Sequence, residues 1–76
     1  MEERILEVVR SIRPDVDFEK ETALIDDEIL DSFDVIQIVT ELMEEFGIFI
    51  DADDIEPENL NSLEGIREMV ERKMEN

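Results

Sequence analysis

The residues with the clearest chemical potential lie in the stretch ILDSFDVIQIVTELMEEF, which covers residues 29 to 46. It places one hydroxyl, that of Ser32, between the carboxylates of Asp31 and Asp34, and it contains no basic residue. A serine in this position can cap a helix, act as a catalytic nucleophile, or serve as a point of covalent attachment. The residues elsewhere in the chain discriminate among these three roles.

A catalytic role for Ser32 lacks the groups that it would require. The chain has no histidine, so the commonest general base is missing, and Lys20 is a base candidate without a supporting residue. Four phenylalanines, with no tryptophan or tyrosine, leave little material for an aromatic-walled substrate pocket in a small domain. We therefore do not expect the chain to be an enzyme.

Capping and attachment are compatible roles for neighbouring residues. Asp31 is a favourable N-cap residue, which would leave Ser32 at the first helical position with its hydroxyl pointing outward. The free N–H groups and the positive dipole end of a helix N-terminus favour a phosphate, so a group attached to Ser32 through a phosphodiester would be stabilised there. The surrounding acids oppose that phosphate slightly, but they would attract a basic partner enzyme.

The acidic stretch DADDIEPENLNS resembles a calcium-binding loop only at its start. Asp51 and Asp53 occupy positions 1 and 3 of a twelve-residue loop, but position 5 is Ile55. Position 6 is Glu56, where glycine must form the turn, and position 12 is a serine in place of the bidentate glutamate. The stretch therefore predicts a solvated acidic turn and no metal site.

The net charge of −17 arises from 24 acids and 7 bases among 76 residues. Nucleic acid and anionic membrane surfaces carry the same sign of charge and are therefore poor partners. Residues 21 to 66 contain fifteen acids and no base, so a basic protein surface would bind to the middle of the chain. An unmodified acidic interaction module that docks on such a surface is the alternative to an attachment site.

Composition predicts one folded domain over residues 1–76. A hydrophobic content of 42% is too high for a disordered acidic tail. A chain of this length buries only about 60% of its surface, so we expect a thin core whose stability comes from helix packing. No leader-like N-terminal run and no apolar stretch of about 18 residues occur, which favours a cytoplasmic protein without membrane insertion.

Apolar periodicity predicts a first helix over residues 2 to 12, which Pro14 ends. Its inward residues are Ile5, Val8, Val9 and Ile12. The seventeen residues from Pro14 to Leu30 are irregular, and we expect a loop that isolated apolar side chains hold against the core. Those side chains are Phe18, Leu24, Ile25 and Ile29.

A second helix is predicted to begin near Ser32 and to end before Gly47, a residue that readily adopts the left-handed conformation. Its inward positions are predicted to be Val35, Ile36, Val39, Leu42, Met43 and Phe46. Its outward positions are predicted to be Asp34, Gln37, Glu41, Glu44 and Glu45.

The tripeptide IFI after Gly47 is expected to be an extended connector, because the sequence offers no second strand to pair with it. DADDIEP predicts a short helical turn that Pro57 ends, and Asn61 or Ser62 is expected to cap a last helix, with Glu64 completing a capping box. The inward residues of that helix are Leu63, Ile66, Met69 and Val70. The predicted fold is all-α: a small four-helix bundle of three longer helices and one short helix, with a long loop between helices 1 and 2.

Several motifs, in this order and spacing, resemble those of acyl carrier proteins. LDSFD at residues 30 to 34 resembles the family's Asp-Ser-Leu/Phe/Met signature, in which the serine carries a phosphopantetheine arm. LMEEFGIFI at 42 to 50 resembles the helix end and connector that follow it, and PENLNSLEGI at 57 to 66 resembles the loop into the last helix. The resemblance covers nearly the whole chain, including its length, acidity and helix order.

The resemblance implies a monomeric carrier with no chemistry of its own. A phosphopantetheinyl transferase would use coenzyme A and its own magnesium ion to modify the Ser32 hydroxyl, next to the signature acid Asp31. The thiol of the arm would then hold an acyl or aminoacyl group as a thioester. A loading ligase and downstream acyl-processing enzymes with basic surfaces would bind to the second helix and recognise its side chains. The residues of this chain that match the partner-reading positions are Phe33, Asp34, Gln37, Glu41 and Glu44.

Some positions differ from those of the housekeeping fatty-acid carriers. Glu28 stands where such carriers usually have glycine, and Gln37 and Met43 replace two glutamates that partners usually read. Asp51 replaces the customary proline of the connector. LDSF is closer to D-alanyl carriers and to stand-alone carriers of specialised pathways, although the tryptophan that D-alanyl carriers have before the last helix is absent. Fatty-acid, polyketide and D-alanine pathways all stay open.

An attached cargo could be shielded between the helices, or the same apolar residues could simply form the core. The residues concerned are Val35, Val39, Ile50, Ile55, Leu60 and Leu63. A thin aliphatic core that parts at modest cost is compatible with either role.

Overall fold

The computed structural model describes residues 2–75, which form an all-helical bundle without strands. Its helices are α1 Glu2–Ile12, α2 Ser32–Phe46, α3 Pro57–Leu60 and α4 Leu63–Met74, and a 3₁₀ turn, Ala52–Asp54, precedes α3. α1 packs against both α2 and α4, while α3 packs against α4. The predicted small all-α bundle is confirmed for the described residues, which contain three longer helices and one short helix.

Local sequence signals determine where the long helices begin or end. α1 ends at Ile12, two residues before Pro14, as predicted. Gly47 has a φ of 64°, and its N–H donates to a carbonyl of the last turn of α2, so the left-handed conformation that glycine tolerates ends this helix. Ser62 caps α4 by accepting a hydrogen bond from the Gly65 N–H.

The short helix differs from the prediction. The sequence predicts that Pro57 ends a helical turn, but in the structure Pro57 begins α3, and the turn before it is confined to Ala52–Asp54. Proline suits the first helical position because its missing N–H would have no partner there. α3 then approaches α4 so closely that a Cβ atom at Gly65 would lie 3.0 Å from the carbonyl oxygen of Glu58.

The core combines one face of each long helix with apolar residues of the first loop. Its buried members are Ile5, Val9, Val16, Phe18, Leu24, Leu30, Val35, Ile38, Val39, Leu42, Ile50, Leu60, Leu63, Ile66, Met69 and Val70. Phe18 and Leu24 are fully buried, so the loop between α1 and α2 is part of the core, as its isolated apolar residues predict. None of the helices within residues 2–75 has the length and apolar composition of a membrane span.

An ion pair joins the 3₁₀ turn to the last turn of α4. Lys73 Nζ lies 2.6 Å from Asp54 Oδ2, and both side chains are largely shielded from water. The hydrogen bond from Lys73 lowers the pKa of Asp54 below its ordinary value. Asp54 also accepts a hydrogen bond from the Asp51 N–H at 3.2 Å, so one carboxylate fastens the connector after α2 to α4.

Lys73→Met should reduce the free energy of unfolding by about 1 kcal/mol at pH 7, the upper end for a partly exposed ion pair. Folding lowers the pKa of Asp54, so its contribution is present above the ordinary value of 3.8 and is lost as the pH falls through the lowered value of the folded protein. Urea unfolding should therefore show a difference between the two proteins that shrinks on acidification across this range.

Lys20→Met is the matched control, because Lys20 makes no ion pair with any of residues 2–75. Both substitutions remove one positive charge from the chain. Equal losses of stability in the two variants would show that net charge, and not the pair with Asp54, accounts for the effect.

Candidate functional site

Ser32 is the first residue of α2, and its side chain is exposed. Asp31 is the N-cap: its Oδ1 accepts a hydrogen bond of 2.9 Å from the Asp34 N–H, as the sequence predicts. In turn, Asp34 Oδ2 accepts a hydrogen bond from the Asp31 N–H at 3.4 Å, which completes a capping box. The helix therefore begins with Ser32 placed between two interlocked carboxylates.

The polar groups at the start of α2 are only partly used. The Ser32 hydroxyl makes no hydrogen bond with any of residues 2–75. The backbone N–H groups of Ser32 and Phe33 likewise have no backbone acceptor among those residues. Two N–H groups at the positive end of the helix dipole are therefore free beside a free hydroxyl, which is an arrangement that can accommodate a phosphate attached to Ser32.

Arg13 holds this end of α2 to the end of α1. Its Nη1 donates to Asp34 Oδ2 at 2.5 Å and to the Ile29 carbonyl at 3.2 Å, while its Nε and Nη2 hold the carboxylate of Asp15 at 3.0 and 2.9 Å. We call these contacts of Arg13 with Asp15, Ile29 and Asp34 the Arg13 clasp. The hydrogen bond from Arg13 lowers the pKa of Asp15, and the two acids raise the pKa of Arg13.

The prediction that Asp34 faces water is wrong, since only 7% of Asp34 is exposed. Its carboxylate is occupied by Arg13 and by the Asp31 N–H, so it is not available at the surface for a partner protein. Helical periodicity placed it on the polar face of α2, but the end of α1 covers that position. Arg13, which was not predicted as a site residue, is the reason that a charge can be buried there.

An apolar groove of about 430 Å³ opens beside Ser32. Its lining consists of Ile25, Leu30, Asp31, Ser32, Val35, Ile36, Ile55, Glu56, Pro57 and Leu60. The long loop and the start of α2 form one side of the groove, and the connector with α3 forms the other. A chain attached to Ser32 would therefore have an apolar surface within immediate reach.

The residues predicted to shield a cargo divide into two groups. Val35, Ile55 and Leu60 line the groove next to Ser32, and Ile55 is exposed, not buried. Three others do not line this groove and are buried core residues, namely Val39, Ile50 and Leu63. The alternative that they simply form the core fits this second group.

Asn61 bridges the two sides of the groove, a role that its predicted function as a helix cap did not include. Its Oδ1 accepts hydrogen bonds from the N–H groups of Ile25 and Asp26 at 2.9 and 3.1 Å, and its Nδ2 donates to Asp26 Oδ2 at 3.1 Å. Its carbonyl accepts from the Leu24 N–H at 2.9 Å. Ser62 alone caps α4, and no capping box with Glu64 is formed.

The outer face of α2 carries four of the five residues predicted to contact partners. Phe33, Gln37, Glu41 and Glu44 are exposed, and the side chain of Phe33 is 67% exposed. Ile36, which was predicted to face inward, is 59% exposed and adds to this face. The buried apolar position on α2 that the prediction omitted is Ile38. The face therefore combines two exposed apolar side chains with acids.

The acidic side chains from Asp51 to Glu58 do not form a cluster that could hold a metal ion. Asp51 Oδ1 accepts from the Asp53 N–H at 2.9 Å, and Asp54 is paired with Lys73, so these carboxylates are engaged in capping and in an ion pair. Within residues 2–75, no group of three or more potential ligand side chains is arranged to hold a metal ion.

Glu28 has a φ of 58° in the turn that leads into the site. This left-handed conformation brings the Cβ atom of an L-residue close to its own backbone, and only glycine adopts it without that cost. The N–H of Glu28 donates to the Ile25 carbonyl at 3.0 Å, so the turn is closed by the backbone. Glycine would fit this conformation better than glutamate.

No protein-family model, no curated protein and no solved structure matches this chain significantly. The geometry around Ser32 and the sequence motifs are therefore the grounds on which its function is inferred.

Glu28→Gly should stabilise the fold by about 0.5 to 1 kcal/mol, because the relief of the left-handed strain exceeds the extra freedom that glycine gains in the unfolded chain. Asp27→Gly is the control, since it removes a neighbouring acid at a position without positive φ and should be destabilising. Urea unfolding of both variants checks this. An equal gain in both would indicate that the removal of negative charge, and not the backbone conformation, is responsible.

Proposed function

We propose that this protein is an acyl or aminoacyl carrier whose cargo is held as a thioester on a phosphopantetheine arm attached to Ser32. The observation that carries the proposal is an exposed, unbonded serine hydroxyl at the start of α2 that borders an apolar groove. The LDSFD motif around this serine resembles the attachment signature of acyl carrier proteins. The helical bundle with its long first loop is compatible with the four-helix fold of that family.

Attachment by a separate enzyme is more consistent with the site than catalysis by the chain itself. Asp31 and Asp34 are the carboxylates nearest to Ser32 in sequence: Asp31 Oδ1 accepts the cap hydrogen bond, and Asp34 is held by the Arg13 clasp. Asp34 is paired with Arg13, and because the sequence has no histidine, Asp31 has no imidazole to orient as a general base for the hydroxyl. Ser32 is therefore the substrate of a partner enzyme in this proposal.

The transfer reaction forms one bond to phosphorus and breaks another. The Ser32 oxygen attacks the β-phosphorus of coenzyme A and forms the new phosphodiester bond. The bond from that phosphorus to the bridging oxygen breaks, and adenosine 3′,5′-bisphosphate leaves with the bridging oxygen. A base of the phosphopantetheinyl transferase takes the hydroxyl proton, and the magnesium ion belongs to the transferase. The arm supplies the thiol that the cysteine-free chain lacks.

The apolar groove is the proposed resting place for the start of the cargo. Ile36 and Ile55 stand at the surface along it, while Val35 and Leu60 form its buried part. Burial of a hydrocarbon chain against these residues would contribute about 0.8 kcal/mol per methylene group. This lining favours an apolar acyl cargo over a charged aminoacyl cargo, although D-alanyl, fatty-acid and polyketide pathways are all compatible with attachment at Ser32.

The proposed partners are a phosphopantetheinyl transferase, a ligase that loads the cargo, and acyl-processing enzymes with basic surfaces. They would bind the outer face of α2, where Glu41 and Glu44 make no ion pair with any of residues 2–75. Electrostatic attraction to such a face speeds association. We propose that the carrier acts in the cytoplasm as a monomer.

Incubation of the purified protein with coenzyme A, magnesium and a broad-specificity transferase should add one phosphopantetheine group to the chain, detected as a gain in intact mass. Ser32→Ala should abolish the gain. Ser11→Ala is the matched control and should not affect it, because Ser11 is also exposed but its hydroxyl donates to the Val8 carbonyl within α1.

A wild-type protein that gains no mass, or an equal gain in Ser32→Ala, would contradict the carrier function. The unmodified acidic module that docks on a basic protein surface would then be the better account of the charge.

Charge reversal of the outer face of α2 should slow the modification. The double variant Glu41→Lys, Glu44→Lys should lower the kcat/KM of the transferase by about tenfold, and raised salt should slow the wild-type reaction. The control is Glu7→Lys with Glu68→Lys, which changes the net charge equally at exposed positions of α1 and α4. Circular dichroism should show unchanged helicity. A salt-independent reaction, or equal losses in both double variants, would argue against recognition by α2.

A further inference from the structure

Asp34 is the one buried charged residue among residues 2–75, although it lies two positions from the exposed Ser32. A buried carboxylate loses its hydration, so it requires an opposite charge and hydrogen bonds in compensation. Arg13 supplies both through the Arg13 clasp. Neither residue takes part in the bond changes of the proposed transfer, so this buried ion pair can affect the transfer only through the placement of Ser32.

Arg13 connects three separate parts of the chain. One nitrogen, Nη1, bonds both to the carbonyl of Ile29 and to the carboxylate of Asp34, while the other edge of the guanidinium holds Asp15. The planar guanidinium presents donors in several fixed directions, whereas a lysine ammonium is a single compact charge. The end of α1 is thereby joined to the chain on both sides of the α2 N-cap.

Ser32 lies within the segment that the clasp spans. Ile29 is three residues before it and Asp34 is two residues after it. The first turn of a helix is the part with the fewest internal hydrogen bonds, and it frays readily. The cap bond from Asp31 stabilises this turn internally but does not fix it relative to α1. The clasp adds a direct link from this turn to the end of α1, beside the core packing of Val35, and so helps to fix where the Ser32 hydroxyl stands on the bundle.

We propose that Arg13 is a positioning residue for the modification of Ser32. It acts through Asp34 and the Ile29 carbonyl, and it holds the hydroxyl where a transferase bound to α2 can align it with the phosphorus of coenzyme A. The inference rests on the proposed carrier function. A misplacement of about 1 Å can slow a reaction about 100-fold, so loss of the clasp acts mainly on turnover. Binding is affected little, because the clasp does not include the outer face of α2.

The central comparison is between Arg13→Met and Arg10→Met. Arg10 lies three positions earlier on α1 and pairs with the exposed Glu19, so both variants lose one positive charge from the same region. With coenzyme A and a broad-specificity transferase, Arg13→Met should lower kcat by about tenfold or more, with KM changed by less than about twofold. Arg10→Met should change neither constant.

Two further variants separate positioning from a general loss of stability. Arg13→Lys should recover part of the lost kcat, because it keeps the charge but cannot hold all three partners. Asp34→Asn should lower kcat on its own, and adding it to Arg13→Met should cost little more, since both substitutions break the same clasp. Amide hydrogen exchange of Asp31, Asp34 and Val35, whose N–H groups are hydrogen-bonded in this turn, should become faster in Arg13→Met but not in Arg10→Met.

A folded Arg13→Met variant with the wild-type kcat would overturn the positioning role. Equal losses in Arg13→Met and Arg10→Met would also overturn it, since they would indicate an effect of net charge. Should Arg13→Met fail to fold, wild-type kcat in both Arg13→Lys and Asp34→Asn would overturn the role in the same way. A wild-type chain that the transferase does not modify contradicts the carrier function itself, which distinguishes that failure from the others.

Discussion

Repulsion among acidic side chains is the constraint that the rest of this structure accommodates. A net charge of −17 on 76 residues opposes a compact state, and the seven bases lie only near the two ends of the chain. The helices at those ends use them to reach the acidic middle: Arg4 on α1 pairs with Glu45 near the end of α2, and Lys73 on α4 pairs with Asp54. Arg13 does the same at the start of α2. The basic ends therefore hold the acidic middle in place around a thin apolar core.

The fold could be predicted from the sequence to the extent that its signals are local. The ends of α1 and α2 depend on Pro14, Asp31 and Gly47, each within a few residues of the structure that it determines. The prediction that Pro57 ends a helical turn misses the start of α3, because proline is compatible with either position and the choice depends on how the chain packs afterwards. Ile36 is exposed although it was predicted to face inward, because the packing of neighbouring elements determines which edge of an apolar stripe is covered.

The candidate site shows the same division between local and distant causes. Ser32 and its cap follow from adjacent residues, so the sequence was sufficient to find them. The burial of Asp34 depends on Arg13, 21 positions earlier, and periodicity within α2 carries no information about that residue. Asn61 was recognised only as a possible cap, because its contacts with the loop 35 and 36 positions earlier exist only once the bundle has formed. The groove itself is likewise a product of tertiary packing.

The close approach at Gly65 makes the two sides of the groove mechanically unequal. With no Cβ atom at Gly65, the carbonyls of Glu58 and Asn59 lie directly against the first turn of α4, so α3 has little room to shift relative to α4. The opposite side is formed by the long loop and the start of α2, and the attachment of the loop to α3 and α4 includes the hydrogen bonds of Asn61. If the groove widens to admit a cargo, we expect the long loop to move while α3 stays in place on α4, and the hydrogen bonds of Asn61 to the loop would have to break first.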